Sequence, residues 1–358
     1  MAYYDSIQNE SSYQAAASSR QAQSFEALQG STHEETAAYH WGADHLFALR
    51  VICKPPNAVL PLLQSEISRV KAVKDEWHDI INELIQGPRE SNATLGQMWE
   101  GEILRSYQDS AIGYIWGHLA STLKLQAPND GLIPAGLRPN PQTDCIIYHE
   151  HVEEPMVAEY TAVFAKALIQ TIIAFGQSLD EKPSIDLRNN RRIHWGQNSW
   201  SFDEGGVEVA VLPSRKQVAL FESKRPFQHV KNGEPTVSDG LLSQVVGVAL
   251  AMRDSGVSVS AENVIVIVAI KHYIKFFHLT ITDTFHRRFK TLSPRDETAD
   301  LGSFLPVEST EWLDGATMDG RQSIAYHVMA LVRWAKKIAM KESDDKVGNQ
   351  DEMTETSL

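Results

Sequence analysis

Residues 207–224 read VEVAVLPSRKQVALFESK. Two apolar stretches with strand-like alternation flank a short polar turn, so the segment is expected to form a β-hairpin, with strands at 207–212 and 217–224. Side chains in a strand alternate with period two. Val218, Leu220, Glu222 and Lys224 therefore share one face of the second strand, and Glu208, Ala210 and Leu212 share one face of the first. A three-residue loop, Ser214-Arg215-Lys216, pairs Glu208 with Glu222, Ala210 with Leu220 and Leu212 with Val218. A two-residue loop would set the two glutamates on opposite faces.

The flanking segments extend this hairpin into a layered domain. Residues 156–176 read as a buried helix that opens after Pro155 and ends near Gly176. Residues 238–252 suit an amphipathic helix capped by Ser238. NVIVIVAI at 263–270 is a continuous apolar run, as expected for a strand covered on both faces, and FFHLTIT at 276–282 alternates beside it. A last helix is expected at 320–340. Helix, hairpin, helix, two strands and helix describe an α/β fold with a mixed central sheet and flanking helices.

Upstream, residues 60–125 carry a helical period. Leu62, Ile67, Val70, Val73, Trp77, Ile80, Ile81 and Leu84 recur at helical spacing until Gly87-Pro88. A second helix is expected over 97–123, with Trp99, Ile103, Tyr107, Ile112, Ile115 and Leu119 buried. Residues 127–143 are rich in proline and glycine and read as a loop. Residues 1–38 have few large aliphatics, and 341–358 (KESDDKVGNQDEMTETSL) are acidic and polar, so both ends are expected to be disordered. The expected organisation is a disordered 1–38, a helical N-terminal region 39–150, an α/β domain 151–340 on which that region packs, and a disordered tail 341–358.

The 358 residues are 42% hydrophobic and 22% charged, enough to bury a sizeable core. No apolar run reaches the roughly 18–20 residues that span a bilayer. MAYYDSIQNESSYQ lacks the basic and apolar regions of a secretory signal, and Cys53 and Cys145 are too few for a disulfide framework. An intracellular location, cytoplasmic or nuclear and not secreted, is expected. The net charge of −13 argues against coating nucleic acid by bulk electrostatics, but two basic clusters have the right sign for a local contact. These are Arg188, Arg191, Arg192 and His194, and His286, Arg287, Arg288 and Lys290; each also reads as a solvated turn or helix end.

Two carboxylates facing each other on adjacent strands repel, and a divalent cation relieves that cost. Mg²⁺ (or Mn²⁺) suits hard oxygen ligands such as Glu208 and Glu222 plus a substrate phosphate. Lys224, on the same face, is then placed to hold or deprotonate an attacking water. This is the chemistry of metal-assisted phosphodiester hydrolysis.

An acidic residue followed by Glu222-Ser223-Lys224 on a hairpin, and then by a helix, resembles the PD-(D/E)xK (restriction-endonuclease-like) nuclease superfamily. ALFESKRP, the alanine-rich helix after it and VIVIVAI are similar to fungal proteins with this nuclease-like domain. The resemblance covers about 155–290. It implies a metal-dependent nuclease acting on DNA, with RNA less favoured. It also implies that Gln244 on the crossover helix and Glu159 on the preceding helix support the site, Glu159 as a further metal ligand. Arg188, Arg191, Arg192, Lys224 and Arg225 would meet the nucleic acid. The sequence departs from the signature in having Gly-Gly-Val before Glu208 where a proline is usual, and Glu where Asp is usual. Asp203 is a rival first acid that needs a bulge to share the face. Plainer readings stand beside these: Glu222 and Lys224 as a strand-end ion pair, and Glu208, Gln244 and Glu159 as solvent-facing residues. His272, His278 and His286, and His149 and His151, form no recognised ligand set, and Trp195 and Trp200 can pack or stack on bases. From another functional class comes a nuclease-like fold kept as a binding or scaffolding module without turnover.

Overall fold

A computed structural model describes residues 2–31, 41–73, 77–108, 110–124, 146–147, 155–177, 183–195, 199–211, 214–224, 229–231, 234–294 and 303–355. The chain begins with α1 (Tyr3–Ser6), α2 (Glu10–Arg20), α3 (Phe25–Ser31) and α4 (Ala43–Ala48), followed by strand β1 (Val51–Cys53). Five helices follow: α5 (Gln64–Ala72), α6 (Asp79–Gln86), α7 (Asn92–Leu95), α8 (Glu100–Ser106) and α9 (Ala111–Lys124). Beyond β2 (Ile146–Ile147) come α10 (Pro155–Phe175), β3 (Ser184–Trp195), β4 (Ser199–Val211) and β5 (Ser214–Lys224). The short β6 (His229–Lys231) and β7 (Glu234–Pro235) lead into α11 (Asp239–Ser255), β8 (Asn263–Ile270), β9 (Tyr273–Thr280) and α12 (Asp283–Arg288). The chain closes with β10 (Leu305–Ser309), β11 (Leu313–Asp314) and α13 (Met318–Glu355).

One mixed sheet runs in the order β1-β10-β9-β8-β5-β4-β3, with β11 also on β9. The meander β3-β4-β5 is antiparallel, α11 crosses over, and β8 returns parallel to β5. The α/β class with flanking helices is therefore as expected. β8 shows why its apolar run is continuous. Ile265, Ile267 and Ala269 enter a first core with α5, α6, α9, α10 and α13, while Val264, Val266, Val268 and Ile270 enter a second core with α1, α4 and α11. Ser238 caps α11 by accepting from Leu241 N–H at 3.2 Å, as its position predicted.

Several expectations need correction. The N-terminal stretch is not disordered over residues 2–31. Tyr3, Tyr4, Ile7, Tyr13, Ala17 and Phe25 are buried in the second core, because four aromatic rings supply the apolar area that the scarcity of aliphatics hid. At the other end α13 continues through the acidic tail to Glu355; extending an existing helix avoids the nucleation cost that would leave such a segment unstructured on its own. The N-terminal region supplies a strand as well as helices, since β1 joins the sheet parallel to β10. The two long helices expected in 60–125 are each broken, and Trp99, expected inside, is 76% exposed. Arg188, Arg191, Arg192 and His194 lie in strand β3 and not in a turn or helix end.

The hairpin has a different register from the one expected. Val211 pairs with Ser214, Ala210 with Arg215, Val209 with Lys216 and Glu208 with Gln217; a bulge follows, after which Val207 pairs with Ala219 and Gly206 with Leu220. The connection is two residues long and contains Pro213, which cannot donate to a ladder. This register places Val207 and Val209 in the first core with Phe221, and the bulge lets Val218 and Ala219 enter it together. Gln217 closes the bulge: its side-chain amide donates to Ala219 O at 2.6 Å and Val207 O at 3.3 Å. Gly206 lies beneath that amide, and a Cβ there would meet Gln217 Nε2 and the Ala219 carbonyl. Gly206→Ala is expected to cost about 3 kcal/mol through overpacking and the loss of these bonds. Urea denaturation checks this, and an unchanged midpoint would refute it.

Candidate functional site

Glu222 lies one residue before Ser223 near the end of β5 and is 4% exposed. It shares the second-core face with Leu220, because residues two apart in a strand point the same way. Its partner on β8 is Val268, and Lys224 pairs with Ile270 at the strand end. The Lys224 side chain and all of Arg225 lie outside the described residues.

Glu208 is also buried, at 5%, and by β4 alternation it belongs to the same face. The two carboxylates nevertheless do not converge. Gly205 pairs with Phe221, so one further step of the register sets position 204 opposite Glu222. Glu208 is four residues from that point, about 13 Å along the strand. Its carboxylate has Arg215 Nη1 at 3.9 Å, toward the hairpin connection and away from Glu222. Gln217 and Leu220 occupy the face between them. Ligands of one Mg²⁺ each sit about 2.0–2.1 Å from the ion. Glu208 and Glu222 do not fit such an ion.

The proposed supporting residues separate as well. Helix α10, which carries Glu159, packs on the first-core face, where Lys166 Nζ lies 5.5 Å from the Phe221 ring. Glu222 faces the other way, toward the side covered by α11, so the third ligand expected from the resemblance starts from the wrong side of the sheet. The Glu159 side chain itself is outside the described residues. Gln244 is half-buried on α11, next to a fully buried Ser243 whose Oγ donates to Trp41 O at 2.6 Å. Asp203, the rival first acid, pairs with Arg191 in the β3–β4 ladder. Arg188 and Arg192 pair with Gly206 and Phe202, so all three arginines ride on the terminal strand of the sheet, two strands from Glu222.

The three histidines of the β8–α12 region are held apart by different partners. His272 Nε2 lies 3.4 Å from Asp314, His278 bridges Glu308 and Asn263 at 3.2 and 3.0 Å, and His286 lies 3.5 Å from Asp254. His149 and His151 are outside the described residues. Among the described residues, no three His, Cys, Asp or Glu side chains gather as a metal group.

Two residues near Glu222 escaped the sequence reading. One is Glu204, the acid at the facing register position. The other is Lys275, 2% exposed on β9 and paired with Val268, so that Glu222, Val268 and Lys275 form one row across three strands. The Lys275 ammonium donates to the Thr310 carbonyl and lies 5.3–5.7 Å from the rings of Tyr4, Phe277 and Trp312. Two strand spacings separate the Cα atoms of Glu222 and Lys275 by about 10 Å. At an effective dielectric near 20, charges at that range couple by roughly 1–2 kcal/mol. The signal was available: Lys275 sits at the inward parity of a strand that was read as beginning one residue later.

Among the described residues no helix is long and apolar enough to cross a membrane. Compared with known protein families, curated proteins and solved structures, the chain matches none.

Proposed function

We propose that this chain is a nuclease-fold binding or scaffolding module that works without turnover. The observation that carries this reading is the four-residue separation of Glu208 from the point facing Glu222. The helix, three-stranded meander, crossover helix and parallel strand supply the fold part of the reading, and the row from Glu222 to Lys275 gives the buried carboxylate a structural role. Glu222→Gln then removes a buried charge that couples to the Lys275 ammonium across the row, and is expected to destabilise the protein by about 1–2 kcal/mol. Relief of carboxylate repulsion would instead stabilise it.

A second reading, Mg²⁺- or Mn²⁺-dependent hydrolysis of DNA, with RNA less favoured, is supported by one observation. Continued one step past Gly205 and Phe221, the register sets position 204 opposite Glu222, with Lys224 two residues beyond, so Glu204 would take the place first given to Glu208. One experiment separates the two. Single- and double-stranded DNA are incubated with the full chain and Mg²⁺ or Mn²⁺, beside Lys224→Ala and Glu222→Gln. No cleavage is expected from any of the three. Cleavage that disappears in Lys224→Ala would overturn the first reading in favour of the second.

A further inference from the structure

The two edges of the sheet are treated differently. At the β1 edge the strand has three residues and the N-terminal segment covers it: Cys53 N–H donates to Ile7 O at 2.8 Å, and Tyr3 Oη donates to Val51 O at 2.8 Å. At the other edge β3 has twelve residues, and no described strand lies beyond it. A long edge with no described strand beyond it invites pairing by another chain unless it is blunted or used.

Gln177 shows that the β3 edge is already used in miniature. Its side-chain amide donates to Ile185 O at 2.7 Å and accepts from Ile185 N–H at 3.1 Å, the two bonds a neighbouring strand would make. Both groups of Ile185 therefore point outward, away from its β4 partner Val209. The β3–β4 register is unbroken, so Leu187, Asn189, Arg191, Ile193 and Trp195 repeat that outward direction. Ile185 is satisfied by Gln177, and Leu187 N–H donates to Asp186 Oδ1 at 2.8 Å; four more residues follow in the same phase.

Charge selects the occupant. Between 184 and 195 the strand carries Arg188, Arg191, Arg192 and His194 against the single acid Asp186. A second copy pairing antiparallel would set RNNRR against itself, a like-charge arrangement that disfavours self-association. A nucleic acid offers phosphates but no alternating N–H and C=O groups to match the edge. An extended acidic peptide offers both.

We propose that the outer edge of β3 accepts an acidic, extended segment of a protein partner by strand addition. This deepens the binding-module reading and rests on it for its biological sense, though not for its geometry.

The probe is a fluorescent twelve-residue peptide of alternating Val and Glu, titrated into the full chain, with the Val and Lys counterpart and a single-stranded DNA oligonucleotide as comparisons. The acidic peptide is expected to bind at least tenfold more tightly than the basic one. Asn189→Pro removes one outward N–H while leaving the β3–β4 bonds alone, and should weaken binding about tenfold or more. The double variant Arg188→Glu/Arg192→Glu should do the same, and both variants should keep the wild-type urea midpoint. If Asn189→Pro shifts the midpoint, hydrogen exchange of wild-type residues 187–195 decides instead: the peptide should slow it. The proposal is overturned if DNA binds more tightly than the acidic peptide, if Asn189→Pro folds and binds as wild type, or if exchange is unchanged at saturating peptide. The no-turnover reading falls separately, to the cleavage assay, which Asn189→Pro does not touch.

Discussion

Removing residues 2–20 is expected to leave the chain unable to fold. Tyr3, Tyr4, Ile7, Tyr13 and Ala17 are 0–6% exposed in the intact protein. Burying a large apolar side chain is worth about 1.5–3 kcal/mol, so these residues together contribute on the order of 6–10 kcal/mol, as much as the whole stability of a typical domain. The polar terms point the same way. Tyr3 Oη satisfies the Val51 carbonyl, Tyr13 Oη the Phe47 carbonyl at 2.6 Å, and Tyr4 Oη meets Ser309 Oγ at 2.5 Å. The truncation also uncovers Arg50, whose guanidinium lies 5.6 Å from the Tyr13 ring and 4.3 Å from Phe304. A gentler test is Tyr13→Phe, which leaves the Phe47 carbonyl short of a donor and should cost about 1–2 kcal/mol. Circular dichroism and urea titration of both variants check this. A truncated chain with the wild-type midpoint would mean that the segment is a loose appendage.

The second large effect is acid destabilisation. His272 and His327 are both pulled down to a pKa of about 4, chiefly by burial. Lys271 lowers His272 further. His327 is held neutral in the first core: Nε2 accepts from Leu60 N–H at 3.2 Å, Nδ1 donates to Ser323 O at 2.7 Å, and the ring stacks on Phe276. Above pH 6.5 neither the folded nor the unfolded chain protonates these rings, and their contribution is flat. As pH falls from 6.5 to about 4 the unfolded chain takes up protons that the folded chain refuses, so stability drops. Each histidine then accounts for about 3 kcal/mol, at up to about 1.4 kcal/mol per pH unit. Below pH 4 both states are protonated and the loss from these groups ends. Glu308, whose pKa is lowered mainly by the hydrogen bond from His278, extends the decline below its usual value of 4.5. Urea midpoints between pH 7.5 and 4.5 should follow this slope, and His327→Gln, which keeps an acceptor for Leu60, should halve it. A flat profile would show that the two rings stay accessible to protons.

The sequence was most legible where one residue type decided one element. NVIVIVAI gave its strand to the residue, since a run of β-branched side chains has few alternatives. Ser238 and Pro155 marked the starts of α11 and α10. Legibility failed where pairing decided. Strand β3 alternates at Ile185, Leu187, Ile193 and Trp195, but Asn189 and Arg191 interrupt the pattern, and only the ladder with β4 carries the chain through. β1, with three residues, is too short for any period to register. The hairpin failed more instructively. Glu208 and Glu222 do share a face, but only because the bulge restores the parity that the two-residue connection changes, and together they move the position opposite Glu222 from 208 to 204. The candidate site was therefore half legible: the burial of Glu222 near its strand end followed from the pattern, while the four-residue offset of Glu208 did not.

Several contacts join parts of the chain that emerge far apart during synthesis. Tyr4 meets Ser309, Tyr3 meets Asp239, Leu60 meets His327 and Asn92 meets the Ala316 carbonyl at 3.0 Å. At about 5–20 residues per second, some 300 residues take roughly 15–60 s to leave the ribosome. Tyr3 and Tyr13 find Val51 and Phe47 early, but Tyr4 waits for Ser309 on β10, and Leu60 waits for His327 on the long closing helix. Until residues 305–309 appear, the second core therefore stays unfinished, and part of its apolar surface remains uncovered for tens of seconds after its first residues are made.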